Sequence, residues 1–167
     1  MTRESVDKLL ANHRKNRGRM EYLKAEIYRL EIEINVARRN LALDAATAHN
    51  YELSDMPRGT AVSQPTERIG LQLASGWEPD YIKSMDKEKE RYQQEFDVRE
   101  IDAMFVTAWL HGLPDRERWI IETQVIDGVF WRDVLIQYKR QFGIDTSKDT
   151  LQRLKAKALQ QIYEMAQ

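Results

Sequence analysis

The sequence predicts an all-α protein in which a long N-terminal coiled-coil-like helix and a second long helix precede a terminal group of three short helices. Three observations predict it. Apolar residues recur at alternating spacings of three and four over the first forty positions, charged residues make up 32% of the chain against 42% apolar, and its 167 residues include only 7 Gly and 4 Pro. Such a composition disfavours sandwiches, barrels and wholesale disorder, and a chain of this length supports one small core.

The first element, residues 1–48, carries the clearest periodicity. Val6, Leu9, His13, Asn16, Met20, Leu23, Ile27, Leu30, Ile34, Ala37 and Leu41 form a heptad seam, about 50 Å long at the helical rise. Two arrangements satisfy it: a hairpin with the second long helix, or a parallel homodimer through the N-terminal helix. His13 and Asn16 interrupt the stripe, where polar residues can set register. Beside them lie Arg14, Lys15, Arg17 and Arg19, read as a solvated face before a nucleic-acid contact.

Residues 49–64, with MPRGTAVSQP at their centre, read as a connector. Residues 65–112 then hold a short helix and a long one. Pro65 suits the first turn of a helix over 66–75 that Gly76 ends. Pro79 opens the second long helix, whose Ile82, Met85, Tyr92, Phe96, Ala103 and Val106 share a face. Its middle, KSMDKEKERYQQEF, is so charged that only a narrow stripe can be buried.

Residues 113–167 change texture and read as three short helices. Pro114 and Asp115 open the first and Gly128 closes it. The second runs from Phe130 or Trp131 to about Gln141, with Trp131, Val134, Leu135, Tyr138 and Phe142 on one side and Gly143 as a left-handed cap. Thr146 or Ser147 caps the third, whose apolar stripe is Leu151, Leu154, Ala158, Ile162 and Met165. Its other face presents Asp149, Gln152, Arg153, Ala156, Lys157 and Gln160, with Lys148 at the helix start. An ordinary solvated face would look similar. Arg and Gln can nevertheless bridge the major-groove edges of guanine and adenine, and Lys can meet phosphate, so these seven residues are the predicted DNA contacts of a helix-turn-helix.

Composition and motifs exclude other classes. The absence of cysteine removes disulfides and thiol chemistry. His13, His49 and His111 are far apart, and neither a glycine-rich phosphate loop nor a Gly-x-Ser-x-Gly elbow occurs. No enzyme activity, metal or cofactor is expected. Trp109, Trp119 and Trp131 read as core residues of the terminal helices. The start lacks a signal-peptide run, no membrane span is visible, and a cytoplasmic protein is expected. The net charge of −1 hides a basic first fifty residues (ten Lys/Arg, seven Asp/Glu) and an acidic stretch over 51–112 (seven against twelve), a segregation too small to name a partner.

Residues 113–160 resemble the C-terminal promoter-binding region of bacterial sigma factors, through Leu113, Glu117 and Arg118, then Gly128, Trp131, Asp133 and Val134, then Thr150, Leu151, Ala158 and Ile162. Phe130 replaces the usual Ser cap, Leu135 replaces a small Ala, and QYKRQFGIDTSKDT is longer than the usual turn. The basic N-terminal helix, the DMPRG connector and the helix after SQPTERIG extend the similarity to the phage ArpU/RinA-type late regulators, over nearly the whole chain. That resemblance implies a phage or prophage transcriptional regulator that binds double-stranded promoter DNA and acts on host RNA polymerase in the bacterial cytoplasm. No aromatic-rich basic helix of the promoter-melting kind is visible in the sequence, so activation is expected to proceed through contact with polymerase or another sigma factor. A packaging component of the small-terminase kind and a coiled-coil adaptor are the competing expectations; a large ring would favour the first, and a salt-insensitive surface the second.

Overall fold

A computed structural model describes the backbone of residues 1–50 and 77–167 and the side chains of 1–43 and 77–167. The described residues are helical and contain no strand. In order they form α1 (Arg3–Asn50), α2 (Asp80–His111), α3 (Asp115–Ile120), which continues as a π-helix (Ile121–Ile126), α4 (Trp131–Phe142) and α5 (Lys148–Met165). The first helix runs past the predicted end at residue 48. The connector's centre and the predicted short helix over 66–75 lie outside the described residues. None of the described helices is long and apolar enough to cross a membrane.

The chain divides into two compact units, Met1–Tyr22 with Phe96–Gln167, and Leu23–Glu95. The second unit is a pairing of helices along a narrow stripe. Leu30, Ile34 and Ile82 form its buried cluster, with Ala37, Leu41, Met85 and Tyr92 packed around them, and Leu23 is fully buried as well. The heptad seam therefore meets α2 of the same chain here, as the hairpin reading expects. At the edge of the stripe the Arg38 guanidinium donates to Glu78 at 2.7 Å and to Asp86 at 2.6 Å. That hydrogen bond holds the Glu78 carboxyl below its usual range.

In the first unit several elements enclose one core. Val6 and Leu10 of α1 join Val106, Trp109 and Leu110 of α2, Ile120 and Ile121 of the third helix, Val134 and Tyr138 of α4, and Leu151, Ala158 and Ile162 of α5. At the seam's N-terminal end Leu10 is fully buried and Leu9 only partly, a shift the heptad count does not predict. Both polar seam residues are buried. Asn16 accepts a 2.8 Å hydrogen bond from Arg99 of α2, which links the two helices at one height. His13 keeps Nδ1 buried without a partner, and burial followed by the charge of Arg17 lowers its pKa. The neighbouring cations are surface groups: Arg14 stands 3.7 Å from Asp127, and Arg19 lies over the Tyr22 ring.

The π-helix is a departure from the sequence pattern. Asp127 N–H donates to the Glu122 carbonyl, five residues back, at 2.9 Å. This wider turn rotates the following side chains, so that Thr123 is buried as well as the consecutive Ile120 and Ile121. Gly128 then ends the element at φ 69°, a left-handed conformation that a side chain would strain.

Candidate nucleic-acid interface

The terminal module is built as its punctuation predicts. Helix α4 starts at Trp131 after Phe130, which is 83% exposed and makes no side-chain cap, so the departure from a Ser cap leaves that helix start without one. Gly143 ends α4 at φ 68°, and its N–H donates to the Lys139 carbonyl. Five residues, 143–147, then connect α4 to α5, with the Lys139 ammonium on Asp145 at 2.6 Å. Ser147 caps α5 by accepting from the Thr150 N–H at 3.3 Å.

The core-facing side of α5 follows the wheel argument with one correction. Leu151, Ala158 and Ile162 are buried and Leu154 is partly buried, but Met165 is 43% exposed. It lies in the last turn beside Gly112, where a Cβ would come within 2.7 Å of the Met165 sulfur. Trp119 meets Tyr138 and Phe142 edge-on, with centroids 5.6 and 5.9 Å apart, which places it between α3 and α4. Trp109 is buried and Trp131 packs at the margin of the core, as expected of core residues.

All seven predicted contact residues, Lys148, Asp149, Gln152, Arg153, Ala156, Lys157 and Gln160, are exposed. They do not have equal freedom. The Lys157 ammonium donates to Glu117 Oε1 at 2.8 Å, and the Glu117 side chain is only 5% exposed. Lys157 is thus a tie between α3 and α5, and the sequence reading missed this role. Forty residues separate the two, so no local spacing announces the pair. Gln160 donates to Glu164 at 2.9 Å along its own helix. Lys148, Gln152 and Arg153 make no hydrogen bond or ion pair with other described residues. Asp149 and Glu164 share the face, so its formal charge is close to balanced. At its C-terminal end α5 is covered in part by α1, because Tyr163 donates to Asp7 at 2.6 Å and Arg3 lies over the Tyr163 ring. That contact raises the Tyr163 pKa. The outward surface therefore extends from Lys148 to about Ala156.

The concave alternative is a cleft of about 410 Å³ in the same unit, lined by His13, Arg17, His111, Arg118, Glu122 and Asp127. It carries charges of both signs, and no group of three or more metal-binding side chains exists among the described residues. The α5 surface differs in kind, since its donors point outward from a helix whose opposite side is anchored. No known protein family, curated protein or solved structure matches the chain.

Proposed function

We propose that the chain is a DNA-binding transcription regulator that reads duplex DNA with the N-terminal half of α5. The observation that carries this reading is the exposure of Lys148, Gln152, Arg153 and Ala156 on one side of a helix whose other side is buried in the core of the first unit. Arg153 can donate twice to a guanine edge, Gln152 can donate to adenine N7 while accepting from its N6 amino group, Ala156 leaves room for a thymine methyl, and Lys148 sits where a helix start attracts phosphate. The resemblance of residues 113–160 to the promoter-binding end of sigma factors supports the same use of the helix, and extends the proposal to a phage promoter and host RNA polymerase.

Lys157 drops out of the reading set, because its ammonium is already committed to Glu117. The test is selection of bound sequences from a random duplex pool, followed by titration of the selected site with wild type and with the double variant Gln152→Ala/Arg153→Ala. Loss of at least about tenfold in affinity is expected, since one good bidentate contact contributes roughly 1–3 kcal/mol of discrimination, with helicity and melting unchanged. Equal affinity for the selected site would remove the assignment. With so few free cations on α5, its log–log salt slope should correspond to a few phosphate contacts at about −0.9 each.

A further inference from the structure

The second unit holds a feature that DNA reading does not use. Along α1, opposite the seam residues Leu23, Ile27, Leu30, Ile34 and Ala37, a second row runs through Ala25, Tyr28, Ile32, Val36 and Arg39. Every residue of this row is exposed, Tyr28 by 65%, Ile32 by 46% and Val36 by 49%. The seam side of this stretch already packs with Ile82 and Met85 of α2. A contiguous row of Tyr, Ile and Val in water on a helix otherwise rich in charge marks an interaction surface.

We infer that this row pairs with the same row of a second copy of the chain, antiparallel, about a two-fold axis at Ile32. The spacings on either side of Ile32 are symmetric, four then three residues, so a two-fold axis there places Ile32 on Ile32, Tyr28 on Val36 and Ala25 on Arg39. Away from the axis each large residue then meets a smaller one, Tyr28 on Val36 and Arg39 on Ala25, which keeps the helices at one separation along the row. The parallel alternative stacks Tyr28 on Tyr28 and sets two Arg39 guanidinium groups against each other. In an antiparallel pair the same rim of both helices faces itself. On one rim lies Arg29, which bonds Glu26 at 2.8 Å and Glu33 at 2.7 Å within its own helix. The two-fold axis brings each Arg29 beside the Glu33 of the other copy, so a pair of opposite charges lies on each side of the axis along that rim. Because the row is short, the pairing belongs to the weak, concentration-dependent class.

The chain has no cysteine, so single-cysteine variants of the full chain report the register directly. Under mild oxidation I32C should form a covalent dimer. Y28C and V36C should cross-link at least about tenfold less when each is alone than when mixed, because disulfides need Cα atoms within about 7 Å. In sedimentation, wild type should show a monomer–dimer equilibrium, and Ile32→Lys should shift it to monomer with helicity and melting unchanged. Four results would overturn the inference: monomer at every concentration, a dimer that persists in Ile32→Lys, efficient self-cross-linking of Y28C and of V36C, or lowered melting of Ile32→Lys at constant mass, which would mean that the chain itself covers the row. None of these measurements involves DNA, so they stand or fall separately from the reading of α5.

Discussion

The two units use the same ingredient, apolar residues at helical spacing, to different effect. In Leu23–Glu95 two helices meet along a stripe, and the described core is Leu30, Ile34 and Ile82 with an ion-pair edge at Arg38. In the other unit five helical elements surround an interior from several sides, and Ile120, Ile121, Val134, Ala158 and Ile162 are removed from water completely. Both hide whole side chains, Leu23 and Ile82 as completely as Ile120, but a pair of helices does so for a few residues along the strip where they touch, whereas the module of short helices joins thirteen buried residues in one cluster. The difference predicts that the terminal module behaves as a rigid carrier for α5, and that the paired helices are held more weakly and open first.

The largest effect should come from cutting into the enclosed core. Ile120→Ala should cost about 2–5 kcal/mol, read by urea denaturation of the full chain. Ile34→Ala, the same chemistry in the stripe, should fall at or below the lower end of that range, because the cluster around Ile34 is small and can collapse onto the shortened side chain. Equal costs would mean that the two regions do not differ energetically.

Next in size is the buried tie. Lys157→Ala strands the Glu117 carboxylate, whose Oε2 already lacks a partner, and should cost about 1–3 kcal/mol. Replacing both residues with Met should recover most of that loss, because an apolar pair needs no desolvated charge. The matching change in the other unit, Arg38→Ala, breaks an exposed pair and should cost less than about 1 kcal/mol. A double variant as unstable as Lys157→Ala would show that the contact contributes by packing alone.

The smallest effect separates the units by pH. His13 has a folded pKa below its ordinary 6.5, through burial first and Arg17 second. As pH falls, the unfolded chain takes the proton first, so this contribution to stability is intact above 6.5 and declines below it, down to the lowered folded value. Arg17, His111, Arg118, Glu122 and Asp127 line the same cleft, and an Asn at position 13 should flatten the slope in thermal melts between about pH 7 and 5. The Glu78–Arg38 pair behaves otherwise. Its lowered carboxyl value keeps its contribution intact above the ordinary carboxylate range and releases it only as pH falls through the depressed folded value. Melts of His13→Asn as steep as wild type over that interval would remove the assignment to His13.

Much of the architecture was legible before any coordinates, because it depends on local chemistry. The seam from Val6 to Leu41, the stop at Gly143, the Ser147 cap and the inward faces of α4 and α5 follow from helical period and from which residues tolerate a helix end or a positive φ. The outward side of α5 was legible for the same reason. What stayed hidden depends on pairs distant in the chain or on small rotations: Leu10 turning in beside Leu9, the π turn that buries Thr123, Met165 lying open beside Gly112, and the capture of Lys157 by Glu117.

By itself, then, the amino-acid order determined that the chain is helical, where its terminal helices begin and end, and which side of each turns inward, since these are consequences of backbone geometry and solvent avoidance within a few turns. Only the tertiary structure decided that the seam is satisfied by α2 of the same chain and that Lys157 serves the fold. It also left the Ala25–Arg39 row in water. Each of these outcomes depends on which distant surface arrives at a given face, and no periodicity along one helix contains that information.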